Sequence, residues 1–193
     1  NEIEQGLLGH EWTATTMGME DYLKLFDGLL KEVVQQEHPD AAYTPGSPHS
    51  PCGDRLDWQN PACGDAHLWG VWHGLKLFEW YAESNHRVVS EFGLQSFPQP
   101  NTLFPMLSEE DRDIHSPVMT YRQRSEVGNN AIASYMADWF HPVSAFESKL
   151  WVSQILQGIA MKIGIEHWRR QMPRTMGTLY WQLNDMWQAP SWS

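Results

Sequence analysis

The sequence predicts an α/β fold with a parallel sheet, because helical and strand patterns alternate along its 193 residues. An amphipathic helical pattern covers residues 19–37, and a short β-branched run stands at residues 87–90. A long helical pattern then begins near Ser144 and is followed by an apolar run at residues 177–183. Such alternation is typical of domains in which helices cover a mostly parallel sheet.

The first predicted helix has apolar residues at helical spacing. These residues are Tyr22, Leu23, Phe26, Leu29, Leu30, Val33 and Val34. Residues 38–40 (HPD) end the helix, and residues 41–44 are short enough for a buried strand. Residues 45–64 show no periodicity, and a loop of this length in a compact domain is usually functional or disordered.

The middle of the chain is predicted to contain short elements. Residues 67–73 (HLWGVWH) form a strand end or an irregular segment, and residues 75–83 form a short helix. Residues 87–90 form a strand that leads directly into Glu91. Short helices and turns are expected from there to Pro142.

A long helix and a last strand are predicted for the C-terminal part. Residues 144–147 (SAFE) match a capping box, in which Ser144 would be the N-cap. Apolar residues recur in this helix at intervals of four, at Trp151, Ile155, Ile159 and Ile163. The helix is expected to end near Arg170, and residues 177–183 form the last strand.

The charge balance argues against nucleic acid as a partner. The chain has 24 acidic and 13 basic residues, a formal net charge of −11, whereas nucleic-acid binding needs basic surface to neutralise phosphates. No stretch approaches the roughly 20 apolar residues of a membrane span, so we expect no membrane partner. The chain begins without Met, and we expect it to be part of a longer polypeptide. The compartment and the oligomeric state stay open.

Cysteine and histidine give little support for a metal site. Cys52 and Cys63 lie in one loop, where a local disulfide and two free thiols are equally compatible with the sequence. Asp65 and His67 could suggest a metal pair, but two ligands do not make a site. Histidines such as His67 and His73 are more often hydrogen-bonded structural residues than ligands.

Tryptophan is over-represented, with eleven among 193 residues. Buried core positions are the ordinary explanation, because tryptophan is a large apolar residue. A clustered excess also suits carbohydrate binding, in which the C–H face of a sugar stacks on a flat ring. Both interpretations stay open.

Two carboxylates stand out among the 24 acidic residues by their context. Glu91 directly follows a predicted strand, as Asn184 and Asp185 follow the last one, and in (β/α)8 barrels the carboxyl ends of the strands carry the active site. Glu2 stands in the opening dipeptide Asn1-Glu2. A retaining glycosidase needs two carboxyl groups about 5–5.5 Å apart, and we expect this separation for Glu2 and Glu91.

Four segments carry a family resemblance. They are Asn1-Glu2, residues 64–74 (GDAHLWGVWHG), residues 90–98 (SEFGLQSFP) and residues 179–193 (LYWQLNDMWQAPSWS). The first resembles the Asn-Glu that ends the fourth barrel strand in glycoside hydrolase family 2. The others resemble, in the same order as in that family, the segment before the seventh strand, the seventh-strand nucleophile motif and the eighth-strand signature of its β-mannosidase branch.

The resemblance implies an α/β architecture of the (β/α)8 or TIM-barrel type. This chain would be the second half of the barrel, from the end of the fourth strand to the eighth, and residues 1–193 a partial catalytic domain. A complete barrel needs about 250 residues, and upstream jelly-roll and Ig-like domains are expected. The isolated chain should be inactive or poorly folded, because half a barrel leaves two unpaired sheet edges.

The resemblance also implies roles for particular residues. Glu2 would be the acid/base and Glu91 the nucleophile, while Glu4 is the local competitor that the Asn-Glu pattern disfavours. Asn1 would hydrogen-bond the 2-hydroxyl of the sugar. The remaining expected substrate-binding residues are Trp72, His73, Trp181, Asn184 and Asp185, of which Trp181 would floor the subsite of the cleaved sugar.

The implied function is that of a retaining exo-β-mannosidase. It would remove terminal non-reducing β-D-mannose from oligosaccharides without a metal or organic cofactor. The alternatives are a sister activity, namely exo-β-glucosaminidase, β-galactosidase or β-glucuronidase, or a carbohydrate-binding fragment without turnover. Release of nitrophenol from p-nitrophenyl β-mannoside would separate an enzyme from a binder.

Overall fold

The computed structural model describes residues 2–8, 17–52 and 54–193. Within these residues the chain forms two compact units. The first unit contains the described residues up to 67, with residues 85–90 and 173–178, and the second contains residues 68–84, 91–172 and 179–193. The two catalytic candidates therefore belong to different units, Glu2 to the first and Glu91 to the second.

Helices account for most of the regular structure. The α-helices are α1 (Ile3–Leu7), α2 (Met19–Tyr22), α3 (Leu30–Glu37), α4 (Pro100–Leu103), α5 (Pro117–Arg122), α6 (Gly128–Trp139) and α7 (Phe146–Arg170). A π-helical stretch, Leu23–Leu29, joins α2 to α3, and 3₁₀ helices cover Phe78–Glu83 and Phe104–Met106. None of the helices among the described residues is long and apolar enough to cross a lipid bilayer.

The predicted helix over residues 19–37 is confirmed, as the continuous run of α2, the π-helical stretch and α3. Its apolar face is only partly covered. Tyr22 is fully buried, whereas Leu29 is 55% exposed and Leu30 and Val33 are also exposed. The helical spacing thus predicted the element, but it did not predict how much of its apolar face is buried in this chain.

The predicted strand at residues 41–44 is wrong. The segment has no strand pairing, and the Ala41 N–H donates to the His38 carbonyl oxygen, which closes a turn after α3. A short apolar run becomes a strand only where a partner strand offers a hydrogen-bonding edge, and periodicity does not report that partner.

The part of the chain that the structure describes forms a sheet of three short strands, in the order β1 (Ala66–His67), β2 (Val88–Glu91) and β3 (Gly177–Thr178). Strands β2 and β3 run parallel, with Val88 opposite Gly177 and Val89 opposite Thr178. The parallel pairing and the helices between these strands confirm the predicted α/β class. The last strand is shorter than the predicted 177–183, since regular pairing stops at Thr178.

The second unit has an aromatic core beneath α7. Phe92 and Trp168 meet edge to face with ring centroids 4.7 Å apart, and Tyr81 packs on Trp168 at 5.5 Å. Gly164 allows this packing, because a Cβ there would come within 2.9 Å of the Trp168 ring. The core therefore includes Phe92, the residue that directly follows Glu91 in the chain.

The long helix α7 is confirmed, but its predicted cap is wrong. Ala145 occupies the N-cap position without a side-chain hydrogen bond, so Ser144 lies one residue too early for a capping box. The buried face is lined by Leu150, Ser153, Leu156, Ala160, Gly164 and Trp168. Trp151 and Ile155, from the apolar repeat, are exposed. Small residues alternate with large ones on the buried face, and at Gly164 the small residue makes room for the rings of Trp168 and Phe92.

The loop at residues 45–64 is closed by a disulfide. Cys52 and Cys63 are bonded, with Cα atoms 6.2 Å apart, which selects the first of the two alternatives that the sequence left open. The disulfide joins two positions that are 11 residues apart in the loop. It therefore restrains this long segment, although the segment lacks regular secondary structure.

Candidate active site

Glu2 lies at the N-terminal end of α1, where its carbonyl oxygen accepts the Gly6 N–H at 3.1 Å. Its side chain is 23% exposed, and its Oε1 lies 2.7 Å from Nδ1 of His67. The start of a helix is a favourable place for a negative charge. Glu2 therefore combines access from solvent with a short hydrogen bond to a titratable partner.

His67 is buried and connects Glu2 to a polar chain in the same unit. Its Nε2 lies 2.9 Å from Oγ of Ser47, and the Ser47 hydroxyl lies 2.6 Å from Asp65 Oδ2, to which it donates. The Ser90 hydroxyl also donates to Asp65 Oδ2, while Asp65 Oδ1 accepts the backbone N–H of His49 at 2.9 Å. The pair Asp65 and His67, considered above as metal ligands, is thus joined through Ser47.

Glu4 has a different environment from Glu2. It is almost fully buried and accepts hydrogen bonds from Arg55 Nη1 at 2.9 Å and from the Tyr22 hydroxyl at 3.2 Å, and it lies 3.0 Å from His49 Nδ1. Arg55 also pairs with Asp27. Burial and then the Glu4 charge raise the pKa of the Tyr22 hydroxyl well above its ordinary value, so Tyr22 remains a donor.

Glu91 ends β2 with only 9% of its surface exposed. Its Oε2 accepts the indole N–H of Trp69 at 3.3 Å, and its carbonyl oxygen accepts the Leu68 N–H at 2.7 Å. An indole nitrogen is a donor only, so Oε2 of Glu91 is the acceptor in this contact. The strand geometry and the indole together hold the Glu91 side chain.

Trp69 belongs to a wall of aromatic residues in the second unit. Its ring packs edge to face on His73 at 5.3 Å and on Trp192 at 6.2 Å. Trp192 also meets Trp72 at 5.9 Å. The tryptophan excess in the sequence is therefore concentrated, in part, around the carboxylate at the end of β2.

Trp72 does not match the expectation of a sugar contact. It has no exposed surface, and its indole N–H donates to Ser125 Oγ at 2.9 Å. A fully buried ring has no exposed face that a sugar could contact. Trp72 instead packs on Trp192 within the aromatic wall. His73, in contrast, is exposed and stands beside Trp69.

Trp181 is 41% exposed and is attached to the segment after Glu91. Its backbone N–H donates to the Phe92 carbonyl oxygen at 2.9 Å. Gly93 is needed here, because a Cβ at that position would overlap the Trp181 carbonyl oxygen. The close approach of the two backbones places an accessible indole in the unit that carries Glu91.

The other expected sugar-binding residues differ in what they offer. Asn184 is exposed, whereas the Asp185 carboxylate accepts hydrogen bonds from Ser191 Oγ at 2.9 Å and from the Met186 N–H at 2.8 Å. Asp185 thus stabilises its own loop. Asn1, the expected partner of the 2-hydroxyl, lies outside the described residues.

Sequence reasoning missed His67 and Trp69 as partners of the two carboxylates. The sequence predicts a structural role for His67 and no role for Trp69. The signal that points to them is their position in the segment GDAHLWGVWHG, which carries the resemblance.

Comparison with known proteins finds β-mannosidases that are similar to most of this chain. The chain is 33% identical over 174 residues to β-mannosidase B of Neosartorya fischeri. The aligned region covers 88% of this chain and 20% of that protein. The chain is 30% identical over 197 residues to β-mannosidase B of Aspergillus niger, covering 96% of this chain and 23% of the relative. Protein-family profiles give no match.

A solved structure extends this similarity to the fold. The crystal structure of β-D-mannosidase from Dictyoglomus thermophilum superimposes with a TM-score of 0.88 at 33% identity. It covers all of this chain and 23% of the solved one, so the chain spans about a quarter or less of the proteins that it matches. The chain is homologous, over most of its length, to one segment of the β-mannosidases.

Proposed function

We propose that this chain supplies both catalytic carboxyl groups of a retaining exo-β-mannosidase of glycoside hydrolase family 2. Glu2 is the acid/base and Glu91 is the nucleophile. The observation that carries the proposal is the environment of Glu91, a strand-end carboxylate held by an indole donor inside an aromatic wall. The names of the relatives supply the substrate class, a β-mannoside.

The surroundings of Glu91 suit a nucleophile. A nucleophilic carboxylate must be ionised and fixed in direction. The Trp69 N–H stabilises negative charge on Oε2 and has no lone pair that could accept a proton from the carboxyl group. The low exposure of Glu91 also keeps bulk water from solvating the attacking oxygen.

The surroundings of Glu2 suit a group that gives and takes a proton. Because the Ser47 proton points to Asp65, the Ser47 oxygen is left to accept from His67 Nε2–H. His67 Nδ1 and Glu2 Oε1 lie 2.7 Å apart, so His67 is within hydrogen-bond reach to take a proton from Glu2 or to return one.

The reaction follows from these two roles. Glu91 attacks the anomeric carbon while Glu2 protonates the departing glycosidic oxygen, which leaves the mannosyl group esterified to Glu91. Glu2, now a base, removes a proton from water, and the water oxygen attacks the anomeric carbon. The C–O bond to Glu91 breaks, and mannose leaves with its original β configuration.

The fold and the domain setting belong to the same proposal. The described strands are assigned to the second half of a (β/α)8 barrel, with β2 as the strand before the nucleophile. The parallel pairing of β2 with β3 supports this assignment. The remaining strands and the upstream domains would come from the rest of a longer polypeptide.

The decisive test uses the full-length protein that contains this chain. It is assayed with the p-nitrophenyl β-glycosides of mannose, galactose, glucosamine and glucuronic acid, with the Glu91→Ala variant as the control. Release of nitrophenol from the mannoside, with a first-formed β-anomer seen by proton NMR, is the expected result. A preference for another sugar, or a first-formed α-anomer, would contradict the substrate or the retaining mechanism.

A further inference from the structure

An exposed cluster of aromatic and guanidinium groups lies on the second unit, apart from the residues assigned above. Tyr121, near the end of α5, is 67% exposed and meets the ring of Trp187 edge to face at 6.4 Å. The Arg124 guanidinium lies 4.6 Å from the centre of the Tyr121 ring and 5.4 Å from that of Trp187. We call Tyr121, Arg124 and Trp187 the platform.

Arg122 holds the platform together from the inner side. Its guanidinium lies 5.1 Å from the Trp187 ring centre, and its Nη1 donates to the Gln188 carbonyl oxygen at 2.6 Å. Contacts of cations with aromatic rings are stabilising. Arg122 thus connects the loop that contains Trp187 to α5 and stabilises the position of Trp187.

Arg122 and Arg124 form no ion pair with an acidic residue among residues 2–8, 17–52 and 54–193. The ion pairs found there involve other cations, although acidic residues outnumber basic ones by 24 to 13. In the same ranges, Arg122 Nε is buried without a hydrogen-bond partner. The guanidinium of Arg124 is therefore available as a donor beside two aromatic rings.

The platform is connected to the wall around Glu91. Ser125, next to Arg124 in the chain, accepts the indole N–H of Trp72. Trp72 packs on Trp192, and Trp192 packs on Trp69, which donates to Glu91. One hydrogen bond and two ring contacts thus connect the residue after Arg124 to Trp69, the donor to Glu91.

We propose that the platform binds a further neutral sugar unit of an extended β-mannoside, which rests on the proposed function. The C–H bonds on one face of a pyranose are weakly positive and suit the negative face of Tyr121. Hydroxyl oxygens at the rim of the same sugar accept hydrogen bonds from Arg124, whose planar group presents several donors. The platform would favour oligosaccharides over short glycosides with small leaving groups.

The test compares two substrates in the full-length protein. For each variant, kcat/KM is measured for β-1,4-mannohexaose and for p-nitrophenyl β-mannoside. Tyr121→Ala and Arg124→Ala should lower the ratio of the two values about tenfold, mainly through KM of mannohexaose, as expected for the loss of one stacking or donor contact. Tyr121→Phe keeps the ring and should keep the ratio. Trp151→Ala, which removes an exposed ring on α7, is the matched control and should also leave the ratio unchanged.

The outcomes separate this inference from the proposed function. An unchanged ratio in both Tyr121→Ala and Arg124→Ala, or an equal fall for the two substrates, would overturn the platform while leaving the activity in place. If the unmodified protein cleaves no β-mannoside, the proposed function fails. The platform is then judged by calorimetric titration with mannohexaose, in which Tyr121→Ala must weaken binding and Trp151→Ala must not.

Discussion

The two carboxylates of the site are held by different kinds of neighbours. Glu2 is hydrogen-bonded to His67, which leads to Ser47 and Asp65, a chain of groups that exchange protons or reorient them. Glu91 is hydrogen-bonded to an indole, which donates but does not accept. The difference agrees with the two proposed roles: an imidazole that can both take and give a proton lies beside Glu2, the proposed acid/base, and an indole N–H is donated to Glu91, the proposed nucleophile.

The largest effect is expected from Glu91→Ala in the full-length protein. No ester to the sugar can form, so turnover should fall by roughly 10⁵-fold or more, as for the loss of other nucleophiles. Added azide should enter the vacated space and give α-mannosyl azide, identified by NMR. A β-azide from this variant would mean that Glu91 does not attack the sugar.

Turnover by the Glu2→Ala variant should fall less than turnover by Glu91→Ala, and by an amount that depends on the leaving group. Loss of proton transfer costs roughly 10²–10⁴-fold with ordinary mannosides, whereas dinitrophenyl mannoside needs little acid help and its first step should survive. The glycosyl-enzyme should then accumulate, seen as a burst of dinitrophenol. Azide, which needs no deprotonation, should restore turnover and yield the β-azide.

Glu4→Ala is the control that separates the two neighbouring glutamates. It removes a buried acceptor of Arg55 and Tyr22, so it should lower the free energy of unfolding by about 2–4 kcal/mol. The protein that remains folded should show neither a burst nor the β-azide. If Glu4→Ala shows both and Glu2→Ala shows neither, the acid/base has been assigned to the wrong residue.

Trp69→Phe should lower kcat by less than either glutamate variant, because it changes only the hydrogen bond to Glu91. It keeps the aromatic packing on Trp192 and removes the N–H donated to Glu91. A hydrogen bond to a charged group is worth about 1.5–3 kcal/mol, and the length of this one places the loss at roughly tenfold in kcat. Trp151→Phe on α7 is the matched change, and an equal loss in both variants would deny Trp69 a particular role.

Removal of the disulfide should have the smallest effect on chemistry. The Cys52→Ser, Cys63→Ser double variant should keep turnover within a few-fold, because both cysteines lie in the loop at residues 45–64 and neither belongs to a proposed catalytic motif. Its free energy of unfolding should fall by about 2–3 kcal/mol, since the bond closes a short loop. Thermal unfolding measures the loss, and a drop in turnover of several orders of magnitude in folded protein would contradict it.

The sequence by itself determined the local elements and singled out the two carboxylates that are proposed to be catalytic. Helical spacing predicted the run over residues 19–37 and the long helix α7, and a β-branched run predicted the strand before Glu91. Glu2 was preferred to Glu4 on the Asn-Glu pattern alone. These features depend on neighbours within a few positions, which a sequence displays directly.

Only the tertiary structure decided which side chains meet and which are covered. It joined Glu2 to His67, 65 positions apart, buried Trp72 while leaving Trp69 on Glu91, and left residues 41–44 outside the sheet. It also turned the face of α7 that contains Leu150, Leu156 and Trp168 toward the core, and left Trp151 and Ile155 exposed. Burial and hydrogen-bond partners are set by chain segments that are distant in sequence, and a local pattern carries no information about the surface it will meet.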